Sequence, residues 1–360
     1  MDLKISENIK NTNIKYYADA KKTNYTIKID CSDGENPYGC SKKVMQALNE
    51  INDIEITNYS YDNSLKKEIA KYWNIKENNV LLCCGSVEGL YYINQLFKTN
   101  NATLLTFIPH FPNFSNHAKM LGYKHKTIPL DKKNNYKYDI NKLIKNIDES
   151  ISLIYIDTPN NPTGQILEKN DAIQIIEYAE KLGIGVIIDE AYGDYLKKEY
   201  SCIDLVNRYE NLIVIRTFSK GFGLAGIRAG YIISNEKICG YMEKMLHPYN
   251  ISQLSRKMAI KALHDKDFIE NCINKTKVNK KILKNLLNSK LKMATTHESS
   301  SICMLYCDED IDLCNKFSEK GVKVYSGMSF DGLGRNCIRL NLPKDEQMND
   351  LIDIINKIKI

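Results

Sequence analysis

The sequence predicts an α/β protein: a mostly parallel sheet with helices on both faces, joined to a smaller α+β part. Three observations carry this. From about residue 64, short apolar or β-branched runs alternate with longer segments of helical period. After about residue 240 that alternation gives way to long helical stretches followed by a second group of strand-like runs. The chain has 360 residues, 43% hydrophobic and 26% charged, the composition of a globular enzyme of roughly two domains.

The expected strands of the first part are VLLCC (80–84), TLLTF (103–107), SLIYID (152–157), IGVIID (184–189), LIVIRT (212–217) and AGYII (229–233). Between them, SVEGLYYINQLF (86–97) and KNDAIQIIEYAEKLG (169–183) have helical period. Alternating strand and helix favours a parallel sheet buried on both faces. The Lys/Asn-rich DKKNNYKYDINKLIKN stretch reads as a solvated surface connection. Helical segments at about 252–290 then lead to ICMLYC (302–307), VKVY (322–325), CIRLNL (337–342) and a closing amphipathic segment. We expect a large domain over residues 45–245. Residues 1–44 and 246–360 together are expected to form a small one.

Composition narrows the function. Lys plus Arg minus Asp plus Glu is 50 − 44 = +6, too mild an excess for a nucleic-acid binder but compatible with an anionic small substrate. No apolar run reaches the ~18 residues of a membrane span. The N-terminus has no apolar signal core, so a cytoplasmic location and no membrane partner are expected. Eleven cysteines are scattered from Cys31 to Cys337 without a C-x-x-C pair or a His partner at zinc spacing. They read as reduced core thiols, and no metal site is expected.

Ligands of open α/β sheets sit beyond the carboxyl ends of the strands, so the polar residues there carry the chemistry. Gly85 and Ser86 follow VLLCC and open a helix, whose first N–H groups make an anion site. An ordinary Ser cap explains the same residues. Phe111 lies between two prolines after TLLTF and offers a flat face. DTPNNPTG (157–164) builds a rigid polar turn that fixes Asn161. Asp189 ends an apolar strand, where a buried carboxylate needs a cationic or strongly donating partner, and Tyr192 lies three residues on. In RTFSKGFGLAGIRAGY (216–231), Lys220 follows a strand with Ser219 beside it and Arg228 eight residues later. A solvated Lys would be a sufficient reading of Lys220 alone. It does not explain why Asn161, Asp189, Lys220 and Arg228 follow successive strands. Lys is the side chain that forms imines with carbonyl compounds. Together these residues suit pyridoxal 5′-phosphate, which needs a Lys, a carboxylate at its ring nitrogen, donors at its phenolic oxygen, a flat neighbour and an anion site.

PNNPTG, IIDEAY and TFSKGFGLAGIRAGY closely resemble the class I/II aminotransferases of the aspartate-aminotransferase-like fold, which has a mostly parallel seven-stranded sheet. With DGENPYG (33–39), the chain looks most like histidinol-phosphate aminotransferases. The resemblance runs from about residue 30 to the C-terminus and implies roles by position. Lys220 would bond the cofactor and move the proton. Asp189 would pair with the ring nitrogen. Asn161 and Tyr192 would bond the phenolic oxygen, and Phe111 would stack on the ring. Ser86, Val87, Ser219 and Arg228 would hold the phosphate, with Tyr59 (or Tyr61) supplied by a neighbouring subunit. Arg339 would bind the substrate's acidic group, with Asn36 and Gly34 lining the same pocket. A second arginine common in histidinol-phosphate enzymes is replaced here by Tyr325, and Lys323 on the same strand face is the candidate substitute.

The resemblance implies a homodimeric transaminase that takes a small amino donor and a keto acceptor. The runner-up is a decarboxylase of a phosphorylated amino acid, which would use nearly the same cofactor contacts. A non-catalytic sensor module would be expected to carry a DNA-binding domain in front. No helix-turn-helix pattern appears in the roughly 30 residues before the resemblance begins.

Overall fold

The computed structural model describes residues 3–14 and 25–360; the other residues of the expected N-terminal segment lie outside the described part. Its strands are β1 (Ile29–Asp30), β2 (Val80–Cys83), β3 (Thr103–Ile108), β4 (Lys124–Pro129), β5 (Leu153–Asp157), β6 (Gly185–Asp189) and β7 (Leu212–Thr217). They continue as β8 (Gly230–Ser234), β9 (Lys292–Met293), β10 (Ile302–Tyr306), β11 (Val322–Lys323), β12 (Tyr325–Ser326) and β13 (Cys337–Asn341).

Seven of them form one sheet in the order β2-β8-β7-β6-β5-β3-β4. β7, β6, β5, β3 and β4 pair in parallel, whereas β8 is antiparallel to both β2 and β7. Alternate residues enter two separate cores. Val186, Ile188, Leu212 and Val214 face one cluster, and Ile187, Ile213 and Ile215 face the other. Both faces are therefore dry, which is why the central strands are apolar at every position. Each such side chain contributes on the order of 2 kcal/mol by leaving water.

The six expected strands of the first part are all present, within one residue of their expected ends. The seventh, β4, was not visible as a run. It lies at the sheet edge with only Ile128 buried among KHKTIP, so one face and one edge remain wet and polar residues are tolerated. The Lys/Asn-rich stretch is more than a solvated connection. Tyr136, Tyr138 and Leu143 are buried in it, and the Tyr138 hydroxyl donates to the Asp157 carbonyl at 2.8 Å.

A second, antiparallel sheet has the order β12-β13-β10-β9, and β1 pairs in parallel with β11. Ile29, Cys303, Leu305, Ile338 and Leu340 enter a third core. The helix Asp345–Lys357 covers it with Met348, Leu351 and Ile355, which recur on one helical face. The helices Lys42–Leu48 and Asp53–Thr57 pack on Gln253–Leu263, where the Lys257 ammonium reaches Glu55 at 3.1 Å. None of the helices among the described residues is long and apolar enough to cross a membrane.

Candidate active site

Strand register sets the floor of the site. Asp157 and Asp189 are paired residues at the ends of β5 and β6, and Thr217 ends the next strand, β7. Parallel strands bring all three to one edge, and the loops that follow them close a cavity of about 220 Å³. Its wall includes Gly34, Ser86, Val87, Phe111, Asn161 and Asp189. It also includes Tyr192, Ser219, Lys220 and Arg228. Eight expected cofactor residues separated by long stretches of sequence thus meet with Asp189 and Gly34 around one space.

Asp189 is 3% exposed. The Tyr155 hydroxyl donates to its Oδ2 at 2.8 Å, and the Ala191 N–H to its Oδ1 at 2.9 Å. Burial raises its pKa to about 6, against those two hydrogen bonds and the attraction of Lys220. The ring of Tyr155 is itself clamped on Phe114 at 4.4 Å, so the donor cannot swing away. A buried carboxylate fixed in this way is poised for a cation such as a protonated ring nitrogen.

The anion end is built from backbone and one guanidinium. The helix Gly85–Leu96 starts with Gly85 at φ +74°, its cap is Cys84, and no side chain caps it. Ser86 therefore does not act as the ordinary cap. Arg228 folds over this turn. A Cβ on Gly85 would lie 2.4 Å from Arg228 Nη2, so only glycine lets the guanidinium approach the first N–H groups of the helix. Arg228 also donates to Ser219 Oγ at 3.3 Å and to the Ala225 carbonyl at 2.9 Å. Helix N–H groups, a hydroxyl and an arginine around one glycine make a cradle suited to an anion.

Lys220 is half-buried, with Nζ 5.4 Å from the centre of the Tyr192 ring. Gly34 closes over both. A Cβ there would stand 1.8 Å from Tyr192 Oη and 3.2 Å from Lys220 Nζ. Gly34→Ala is expected to push both side chains aside, costing about 1–3 kcal/mol of stability. Apoprotein melting and a cofactor titration measure this; unchanged affinity would show that the glycine is not needed for the site.

The other expected residues are placed differently. Asn36 is off the cavity: its amide donates to the Gly221 carbonyl at 2.7 Å and its Oδ1 accepts from the Tyr38 N–H. It braces the lysine loop rather than lining the pocket. Arg339 is 1% exposed and sits one layer behind the wall. Its Nη1 is 3.5 Å from Asn161 Oδ1, its guanidinium stacks 4.6 Å from the Tyr325 ring centre, and its charge works against the upward push that burial gives the Tyr192 phenol. Lys323 does not replace an arginine in the pocket, because its Nζ pairs with Asp30 Oδ2 at 3.1 Å, outside the cavity wall. Tyr325 does line the cavity and donates to Asp33 at 2.7 Å. Tyr59 is 72% exposed and stacks on Tyr249, away from this chain's cavity, with Tyr61 against the same ring.

Sequence reading missed Asp157 and Thr217. Both end strands next to Asp189, and the search for polar residues at the carboxyl ends of strands applies equally to them. The eleven cysteines are unbridged, and no group of metal-binding side chains occurs among the described residues.

Pyridoxal phosphate fits the residues present. The cradle at Gly85 would be filled by any Cβ and suits a phosphate, the buried Asp189 suits a ring cation, and Lys220 shares the cavity wall with Asp189 and Arg228. A curated histidinol-phosphate aminotransferase from Methanocaldococcus jannaschii is 32% identical over 334 residues, 92% of this chain and 89% of the relative. The crystal structure of the histidinol-phosphate aminotransferase from Clostridium acetobutylicum superposes with a TM-score of 0.82 at 24% identity, covering 91% of this chain and 97% of that one. The enzyme of the same name from Sinorhizobium meliloti, solved in complex with pyridoxal-5′-phosphate, gives 0.80 at 21% identity, covering 93% and 92%. The family described as aminotransferase class I and II matches residues 26–355, so this chain belongs to the class I and II aminotransferases.

Proposed function

We propose that the protein is a pyridoxal-phosphate transaminase acting between a small amino acid donor and a keto acceptor, with histidinol phosphate and its keto counterpart as the first pair to test. The observation that supports it most is the meeting of Lys220, Asp189 and the Gly85–Arg228 cradle on one cavity. When bound, the cofactor supplies an aldehyde that takes up the amino group and a ring that draws electrons from the substrate's α-carbon.

The chain's own side chains do the rest. Lys220 holds the cofactor and carries the proton between carbon atoms. Asp189 stays ionised beside the ring nitrogen, which favours its protonated form. Asn161 and Tyr192 donate to the phenolic oxygen, while Ser86, Val87, Ser219 and Arg228 anchor the phosphate. Arg339, behind Asn161, Tyr192 and Tyr325, binds the substrate carboxylate. Residues 45–245 carry the cofactor, and the segments on either side form the smaller unit. The chain acts as a homodimer, in which the exposed Tyr59, or Tyr61 in its place, reaches the neighbouring phosphate cradle.

The experiment is a donor screen on the yellow holoprotein, followed by keto acceptors. A shift of the visible band with donor alone, reversed by acceptor, is the expected result. No shift with glutamate, histidinol phosphate or any other donor would sink transamination. Carbon dioxide release without a keto product would move the reaction to decarboxylation.

A further inference from the structure

One buried carboxylate on the cavity wall has no part in the chemistry above. Asp157 ends β5, is 4% exposed, and lines the cavity beside Asp189. Its Oδ2 accepts two backbone N–H groups, from Phe111 and from Asn161, each at 3.0 Å. Its Oδ1 accepts the Asn160 side-chain amide at 2.8 Å, and that same nitrogen reaches the Pro109 carbonyl at 3.1 Å. Phe111 belongs to the loop after β3 and Asn161 to the loop after β5. A single side chain therefore ties two separate loops to the end of the sheet.

An ionised carboxylate is costly to bury without partners. Burial does push this one upward, its pKa rising to about 7, against the hydrogen bonds from Asn161, Asn160 and Phe111. A smaller or apolar residue would fill the strand end but leave the two backbone N–H groups without an acceptor. The two main-chain donors belong to the residues proposed to face the ring and its phenolic oxygen.

We propose that Asp157 is a positioning residue for the cofactor: it sets Phe111 and Asn161 relative to each other by holding both main chains through one oxygen. The proposal rests on the reading of this cavity as the pyridoxal-phosphate site. Asp157 needs no contact with the reacting atoms. It acts through the two loops it joins, which distinguishes it from Asp189 in the next strand.

The test is a pair of double-mutant cycles read on cofactor affinity. Pyridoxal phosphate is titrated into apoprotein of the wild type, Asp157→Asn, Phe111→Ala, Asn161→Ala and the two doubles containing Asp157→Asn. Apoprotein melting and the visible circular dichroism of the loaded forms are recorded alongside. An asparagine can accept at one position only, so the other meets donor against donor. The expected result is a dissociation constant raised about 10-fold or more in Asp157→Asn, with a changed visible dichroism. In its background, Phe111→Ala and Asn161→Ala are each expected to add clearly less than they do alone. Unchanged affinity in both Asp157→Asn and Asp157→Ala, the second of which has no acceptor for either N–H, or fold-changes that simply multiply in both cycles, would overturn the proposal. If Asp157→Asn does not fold, Asp157→Ala is judged by the same criteria. A wild-type protein that fails to bind the cofactor would overturn the underlying reading, an outcome distinct from an unaltered Asp157 variant.

Discussion

Lys220→Ala is expected to lower transaminase turnover on the order of 10⁴-fold, the upper range for a positioned acid–base group. Lys220 lies on the same wall as Asp189 and Tyr192, and no second lysine among the described residues lines the cavity. Its loss removes both the covalent anchor and the proton carrier. The check is borohydride reduction of the loaded protein followed by digestion: the wild type should retain the cofactor on the peptide containing Lys220, and the variant on none. Lys220→Arg is the control for charge. It restores a cation near Asp189 but is too basic to exchange the proton, so it should recover cofactor binding without turnover. A reducible bond that persists in Lys220→Ala would remove the lysine from its role.

The second large effect belongs to Asp189. Asp189→Asn is expected to reduce turnover on the order of 10³-fold, since it takes away the fixed charge opposite the ring nitrogen. The same substitution has a pH signature in the apoprotein. The folded-state pKa of Asp189 is raised to about 6, above the 3.8 of the free side chain. Between those values the folded protein keeps a proton that the unfolded chain has released. Stability therefore falls as pH rises from about 4 to about 6, and the deficit persists above that range. Its size is about 3 kcal/mol. Asn cannot ionise, so the variant apoprotein should gain stability relative to the wild type as pH rises through this window. Melting curves from pH 4 to pH 8 measure the difference. Parallel curves for the two proteins would show that Asp189 carries no such burial penalty. Asp157 remains in both proteins, but the Asp189 charge is one cause of its rise to about 7, so the variant also relaxes that rise and the stability gain with pH is in the same direction.

The two carboxylates also show where sequence legibility stops. Asp189 stood out because it ended a run of apolar residues, and the same is true of Asp157 in SLIYID. What separates them is the partner each one has. Asp189 receives a tyrosine hydroxyl and faces Lys220, whereas Asp157 receives backbone groups from two loops. Partners contributed by remote loops leave no pattern in the local sequence. Arg339 was recognisable by its motif, but its place behind Tyr325, rather than on the wall, follows from packing in β12 and β13. Lys323 illustrates the opposite error. Alternation put it on the same strand face as Tyr325, but the strand breaks between β11 and β12, and pairing with Asp30 takes the ammonium elsewhere.

The sequence by itself determined the layers, the central strands and most residues of the cavity wall. A sheet buried on both faces must be apolar at every position, and its catalytic groups must follow strand ends. Only the tertiary structure decided the polar edge strand β4, the reversal of β8, the Gly34 and Gly85 approaches, and the bracing roles of Asn36 and Asp157. Each of these depends on a distance between residues far apart in the chain. Hydrophobic period records which face of a segment is dry, but it does not record which distant atom will lie against it.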